Sequence, residues 1–490
     1  MVLLLHKVKN SENAFFMMKL PLKMLGLVIA VLVFVSCSNT YNPNIERGST
    51  YKYKPGYPQV RFNAVGFLNQ NNKPSISIAA DIVYGSLVFK SVKDSVEKAK
   101  LAIGVRVVNT EHNDSVAHDI YKKITIRKKN KSIINSQNSF SYQNQIRVPP
   151  GKYKVYFTVK DLSSNKQITR TAQTSIPNPK GNQINLTNIR MLGKNMNARH
   201  PHWKPVTTYT VPGRIDSLMF SFQVTNNSTS QPLTVQASLV RFKSDTSVAR
   251  PMYYNNYSQS SIQYEGINYD DRTVIQKTQR KLRQEGSVFI QFRFAQQKRG
   301  NYRFVVHSTK SNQDLHKARD FGVKSKNYPA LKTARELARP LKYLMKKKNY
   351  KKLMAISSPD SLKQAIDRFW LEKIGSKNKA RRVLKKYYQR VEEANKQFSN
   401  YKAGWKTDPG MIYILFGPPW YVYRSVDQMH WSYAYNQQEN DRNFYFHQPK
   451  LKSKYYPFRH FILERDQSYF TVEYQQRQLW LTGLILQRQL

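Results

Sequence analysis

Three side chains near the C-terminus can, by type, move a proton: Asp408, His430 and Glu473. Two carboxylates and an imidazole suffice for general acid–base work once geometry brings them within hydrogen-bond reach. His447 and Glu464 lie in the same stretch and add to the choice. Spacing alone places no two of these side chains together, so the catalytic residues stay open and Asp408, His430 and Glu473 are the candidates. His200-Pro201-His202 offers two metal-ligand types. Proline restricts that backbone and no third ligand is close in sequence, so a surface loop is expected and no metal site. Walker loops, G-x-G-x-x-G, G-x-S-x-G and paired zinc cysteines do not occur, and no cofactor is expected.

The fourth chemically distinct residue is Cys37, the only cysteine. It follows an apolar run, Leu25 to Val35, that Lys19 and Lys23 precede. Eleven residues of helix rise ~16 Å, about half of a ~30 Å hydrocarbon core. Positive start, short apolar stretch and small Ser36 before the cut form the layout of a secretory signal peptide. Val35-Ser36-Cys37 resembles a bacterial lipobox, with Phe34 in place of the usual Leu. Cleavage would leave Cys37 as the lipidated N-terminus, and more than one acyl chain anchors a soluble body stably. An exported chain with no further cysteine must rely on core burial alone. Translation from Met1, or from Met17 or Met18, stays open.

The chain carries 80 Lys+Arg against 30 Asp+Glu, a formal charge of +50. The excess is spread along the chain; residues 330–400 hold 20 basic and 6 acidic side chains. Such a surface attracts polyanions over ~8 Å at physiological salt. For an exported protein the expected partners are an envelope protein or an anionic glycan or lipid, with nucleic acid disfavoured.

These residues need elements to hold them. Residues 1–36 are expected as signal peptide and 37–60 as a Tyr- and Pro-containing tether. Residues 61–180 alternate as strands do: Tyr153, Val155, Phe157 and Val159 share one face, with Lys154 and Thr158 on the other. Ser75–Val83, Leu101–Val108 and Gln167–Thr174 supply further strands of an immunoglobulin-like β-sandwich. A second sandwich is expected over 188–325, from Leu218–Thr225, Thr234–Phe242, Ser287–Phe294, Tyr302–His307 and Lys317–Val323. Arg299-Gly300-Asn301-Tyr302 echoes Pro150-Gly151-Lys152-Tyr153. Residues 245–285 read as a long irregular loop.

From Pro329 the period becomes helical. Leu337, Leu341 and Leu344 share a face that Pro340 should interrupt. Ser358-Pro359-Asp360 reads as a helix start, followed by the stripe Leu362, Ile366, Phe369 and Trp370. A further helix carries Val383, Leu384, Tyr387, Tyr388, Val391, Ala394 and Phe398 on one side. The last ninety residues read as β, with strands expected at Met411–Phe416, Tyr421–Ser425, Trp431–Tyr435, Asn443–His447 and Tyr469–Tyr474. Asp408-Pro409-Gly410 fits a tight turn, which Trp405 would cover and which Gly404 would let the backbone approach closely.

Gly404-Trp405-x-Thr407-Asp408, followed by Gly410, Tyr413-Ile414 and Gly417-Pro418-Pro419, resembles the signature of the GWxTD-domain family. The resemblance extends to Phe369-Trp370, Tyr387-Tyr388-x-Arg390-Val391, Ala394-Asn395 and Phe398, and on to Trp431-x-Tyr433 and Phe444-x-Phe446. It covers roughly residues 330–480. Pro409 and Trp420 depart from the pattern, standing where a basic residue and Asp are common. The family, frequent among exported proteins and lipoproteins of Bacteroidota, implies envelope placement and a helical-then-β domain over 329–490. It implies no reaction, cofactor or ligand.

The expected molecule is multidomain and mainly β, with immunoglobulin-like modules before an α+β C-terminal domain. Gly404, Trp405, Thr407, Asp408, Gly410, Gly417 and Pro418 are expected to act structurally, and Cys37 to carry the anchor. The expected function is a non-enzymatic envelope scaffold or binding module on the periplasmic face of the outer membrane, accessory to an export or assembly machine. The alternatives are an enzyme on cell-wall or surface polysaccharide, and a binder of lipopolysaccharide or acidic glycan.

Overall fold

The computed structural model describes residues 44–47, 56–69, 71–92, 96–129, 138–181, 184–227, 232–253, 266–310, 313–425, 427–433, 442–448 and 460–488. Cys37 and the apolar run before it lie outside the described residues. Among the described residues no helix is long and apolar enough to cross a membrane.

The first β region is two facing antiparallel sheets. Val60–Leu68, Pro74–Val83 and Ser139–Arg147 make one; Val96–Asn109, Gly151–Asp161 and Gln167–Ile176 make the spine of the other. Alternation decides what they bury. Val155, Phe157 and Val159 are fully buried, and the Phe157 ring stacks on Phe62 of the opposite sheet at 5.2 Å. Each such side chain contributes about 1.5–3 kcal/mol of burial.

The second β region repeats the plan. One sheet holds Leu233–Ser244, Gly300–Lys310 and Gln313–Val323; the facing one centres on Ser217–Asn226 and Gly286–Ala295. Phe220 stacks on Phe304 across the gap at 4.4 Å. The sequence echo has a structural counterpart. The Tyr153 hydroxyl donates to the Pro149 carbonyl at 2.8 Å, and the Tyr302 hydroxyl to the Lys298 carbonyl at 2.7 Å. Each tyrosine thus fastens the turn that starts its own strand, four residues back. Gln223 joins the two regions: its amide accepts from Leu68 N at 2.7 Å and donates to Leu68 O at 3.1 Å.

Two expectations fail here. Within 245–285, Ile267–Leu282 is a sixteen-residue strand paired with Leu233–Ser244. Nearly all of it is exposed, so it lacks the alternation that betrays a half-buried strand. Ile45–Glu46, within the expected tether, pairs in parallel with Gln313–Val323.

The C-terminal part begins with α1 (Ala334–Ala338), which passes into a 3₁₀ turn at Arg339–Tyr343 where Pro340 falls. α2 (Lys347–Ala355), α3 (Pro359–Ile374) and α4 (Lys377–Gln397) follow. Ser358 caps α3 by accepting from Ser361 N. α5 is Asp408–Phe416 and α6 is Tyr469–Thr482. Both lie where strands were expected, at Met411–Phe416 and Tyr469–Tyr474. All nine residues of α5 are buried, and a short run apolar on every side has the same pattern in a buried helix and a buried strand. Between α5 and α6 sits an antiparallel sheet ordered Tyr421–Arg424, Gln428–Tyr433, Arg442–His447, Ile462–Leu463. Tyr387 of α4 centres the core, with Trp370 of α3 at 5.6 Å and Trp480 of α6 at 5.1 Å.

Candidate functional site

The segment 404–410 joins α4 to α5. Asp408-Pro409-Gly410 is the first turn of α5 rather than a tight turn. Thr407 is the N-cap: its hydroxyl accepts from Gly410 N at 3.1 Å and donates to Gly404 O at 2.8 Å. Pro409 then costs no hydrogen bond, because first-turn N–H groups have no intrahelical acceptor. A Cβ on Gly404 would collide with the Ala394 carbonyl of α4, and one on Gly410 with the Gly404 carbonyl. The two glycines let three backbones meet. Trp405 is buried; its N–H donates to Asn395 Oδ1 at 3.2 Å and its carbonyl accepts from Tyr343 at 2.7 Å.

Asp408 faces Arg465 in a buried two-pronged ion pair. Oδ1 accepts from Nη2 and Oδ2 from Nη1, each at 2.8 Å, and Oδ2 also accepts from Leu463 N at 2.8 Å. The remaining Arg465 donors reach Pro251 O, Arg250 O and Leu463 O. All five guanidinium N–H groups are therefore engaged. Burial by itself would raise the Asp408 carboxyl, but the charge and hydrogen bonds of Arg465 outweigh it and hold the group below the usual carboxylate range. The other end of α5 is held by side chains. Leu415 O accepts from Gln476 at 2.7 Å, Trp480 at 2.9 Å and Arg390 at 3.2 Å. Gly417 leaves the helix at φ +95°, and its carbonyl accepts from Tyr433 at 2.9 Å. Pro418 is exposed.

Among the described residues, the acid–base candidates Asp408, His430 and Glu473 make no hydrogen bond to one another, although Asp408 and Glu473 both feel the charge of Arg465. Glu473 is buried, accepts from Met252 N at 2.7 Å and is raised by burial. It meets the same Arg250–Met252 segment that Arg465 holds. His430 projects from the sheet face opposite to buried Met429 and Trp431, bonded to Asn443 at 2.9 Å and stacked on Tyr445 at 4.6 Å. His447 pairs with Glu464 at 2.6 Å. The partner of Asp408, Arg465, is 57 residues away in the chain, with no local signal to mark it. Among the described residues no group of His, Cys, Asp or Glu could hold a metal ion.

Residues 300–482 match the model of the GWxTD domain. The chain carries a GWxTD domain. The GWxTD match begins inside the second β region, at the hairpin Gly300–Val323. No curated protein matches the chain. Among solved structures it is similar to a transglutaminase of red sea bream (10% identity, TM-score 0.17), over 54% of this chain and 31% of that one. An alpha-2-macroglobulin of Salmonella reacted with methylamine (12%, TM-score 0.19) aligns over 57% and 17%. The C-terminal domain of the AgI/II polypeptide BspA of Streptococcus agalactiae (9%, TM-score 0.16) aligns over 52% and 98%. This chain spans less than a third of the transglutaminase and about a sixth of the macroglobulin. Overlaps with such TM-scores carry no inference.

Proposed function

We propose that the protein is a non-enzymatic lipoprotein of a Bacteroidota-type cell envelope, anchored through Cys37 and facing the periplasm from the outer membrane. Its β regions act as arms, and its GWxTD domain docks an envelope protein, as an accessory of an export or assembly machine. The observation that carries the non-catalytic part is the Asp408–Arg465 pair. The carboxylate that gives the motif its last letter is buried, ionised and held by three hydrogen bonds from Arg465 and Leu463, so it has no proton to donate and both its oxygens are tied to the protein rather than turned to a substrate. A polysaccharide hydrolase needs two carboxyls about 5–10 Å apart across a substrate cleft, and Asp408 does not serve as one of them.

The test is mass spectrometry of the mature N-terminus, with crosslinked affinity purification from envelopes of wild type and Cys37→Ala. Acylation at Cys37, and a partner recovered with wild type and lost with the variant, are expected. An unacylated mature terminus, or a wild-type product resident in the cytosol, overturns the placement and the partners with it.

A further inference from the structure

Where the second β region meets the GWxTD helices, the molecule encloses a cleft of about 630 Å³. Its walls come from the ends of Leu233–Ser244 and Ile267–Leu282, the turn before Gly300, the segment after Val323, α1, and the loop 401–406. Its charge is one-sided. Arg241, Arg299, Lys324, Arg339, Lys402 and Lys406 line it, and a seventh cation, Lys243, pairs with Asp271 at 3.2 Å. The only other acid among the described residues of its walls, Glu336, accepts from Asn327, Lys332 N and Thr333 N, and its charge also acts on Arg339.

Lys324, Lys402, Lys406 and Arg241 each donate to backbone carbonyls. Lys324 donates to Asn400 O and Lys402 O at 2.8 Å each, Lys406 to Thr246 O at 2.6 Å, Lys402 to Ser247 O at 3.3 Å, and Arg241 to Arg299 O at 2.9 Å. A carbonyl satisfies a donor without neutralising a cation. The guanidiniums of Arg299 and Arg339 have no hydrogen-bond partner among the described residues. Arg339 is half-buried as well.

Burial first, and repulsion second, lower the lysines. Burial, with Arg339, Lys402 and Arg299 nearby and Asp245 only partly opposing them, pushes Lys406 down to about 8. Burial and Lys406 push Lys324 down to about 7. A cleft that holds this many cations against one another is unfavourable when empty and favourable around a compact anion. Arginine forks match the oxygens of a phosphoryl group two at a time, and a cavity of this size accepts more than a bare ion.

We propose that this cleft binds a phosphate monoester, with the unpartnered guanidiniums of Arg299 and Arg339 gripping the phosphoryl oxygens and Lys324 and Lys406 supplying charge from beneath. The proposal goes beyond the anchored-scaffold reading and does not depend on it. The ester has two sources, a soluble sugar phosphate or a lipid headgroup.

Calorimetric titration of the full chain carrying Cys37→Ala in nonionic detergent separates the two sources. Glucose 6-phosphate represents the soluble ester and dihexanoyl phosphatidic acid the headgroup. Saturable one-to-one binding of either supports the proposal, and the probe that binds names the source. The double variant Arg299→Ala/Arg339→Ala breaks no hydrogen bond in the fold and should weaken binding about 10-fold or more. Lys122→Ala/Lys123→Ala removes the same charge from an exposed strand and should change it little. At pH 8 binding should take up protons, as Lys324 and Lys406 regain theirs; titration in buffers of different ionisation enthalpy reads this. No saturable binding of either probe overturns the proposal. So does an equal loss in the two double variants, which would report bulk charge alone.

Discussion

Asp408 and Arg465 show how a motif residue that looks reactive can be a fastener. Asp408→Asn removes the negative partner and strands a buried guanidinium, which costs about 3–5 kcal/mol. Thermal unfolding should fall by of order 10 °C. Adding Arg465→Met removes the stranded charge, so Asp408→Asn/Arg465→Met should recover part of that loss. A double variant no more stable than the single would mean the pair's charges are not the cause.

His460 gives a pH signature at the same scale. Burial, with Lys402 close by, pushes its imidazole down to about 3, and it bonds Asn400 at 2.9 Å in the neutral form. The unfolded chain takes up a proton below ~6.5 while the folded one does not. Its contribution is therefore whole above pH 6.5 and lost as pH falls from there toward 3, by up to about 1.4 kcal/mol per unit. Urea unfolding of wild type and His460→Asn across pH 4–8 should show a flatter profile in the variant. Parallel profiles would remove His460 as a contributor.

Among the elements, α5 is the keystone. It is buried on all sides, so its polar ends must be satisfied by neighbours. Thr407 serves the N-terminus; Arg390, Gln476 and Trp480 serve Leu415 at the other end. Thr407→Ala should cost about 0.5–2 kcal/mol as a lost cap, and Trp480→Ala about 3–5 kcal/mol as a lost core ring. Chemical denaturation of each checks that order; a Thr407 effect exceeding that of Trp480 would contradict it. The residues that carry the family resemblance around α5 are these joints. Asn395 receives Trp405 N and binds Pro329 O, Tyr387 binds Pro340 O, and Arg390 lies over Trp480 at 5.3 Å.

Across the whole molecule, the +50 charge sets where function can lie. Most of it is solvated and speaks to solubility and long-range attraction. What distinguishes the cleft beside the GWxTD loop is that exposed Arg241 and Arg299 stand over the partly or fully buried Lys324, Arg339, Lys402 and Lys406, whose mutual repulsion solvent screens less. The phosphate titration and the Cys37 experiment probe separate halves of this picture. One reads a site inside the fold, the other the chain's attachment, and either can fail alone.

Alternation along Tyr153–Val159, the Ser358-Pro359 helix start and the face of α4 were legible because each is a local pattern repeating at the period of its element. The series of residues around Gly404–Asp408 was equally legible and marked the GWxTD domain. The helical state of Met411–Phe416 was not, since an element buried on every side shows no period. The cap residue Thr407 with Pro409 behind it was the signal available. The exposed strand Ile267–Leu282 gave no pattern because it buries almost nothing. Neither the Arg465 partner of Asp408 nor the cationic cleft could be read from the chain. Their members come from segments scattered between residues 241 and 465, and charge acts through distances in space, which only the folded arrangement sets.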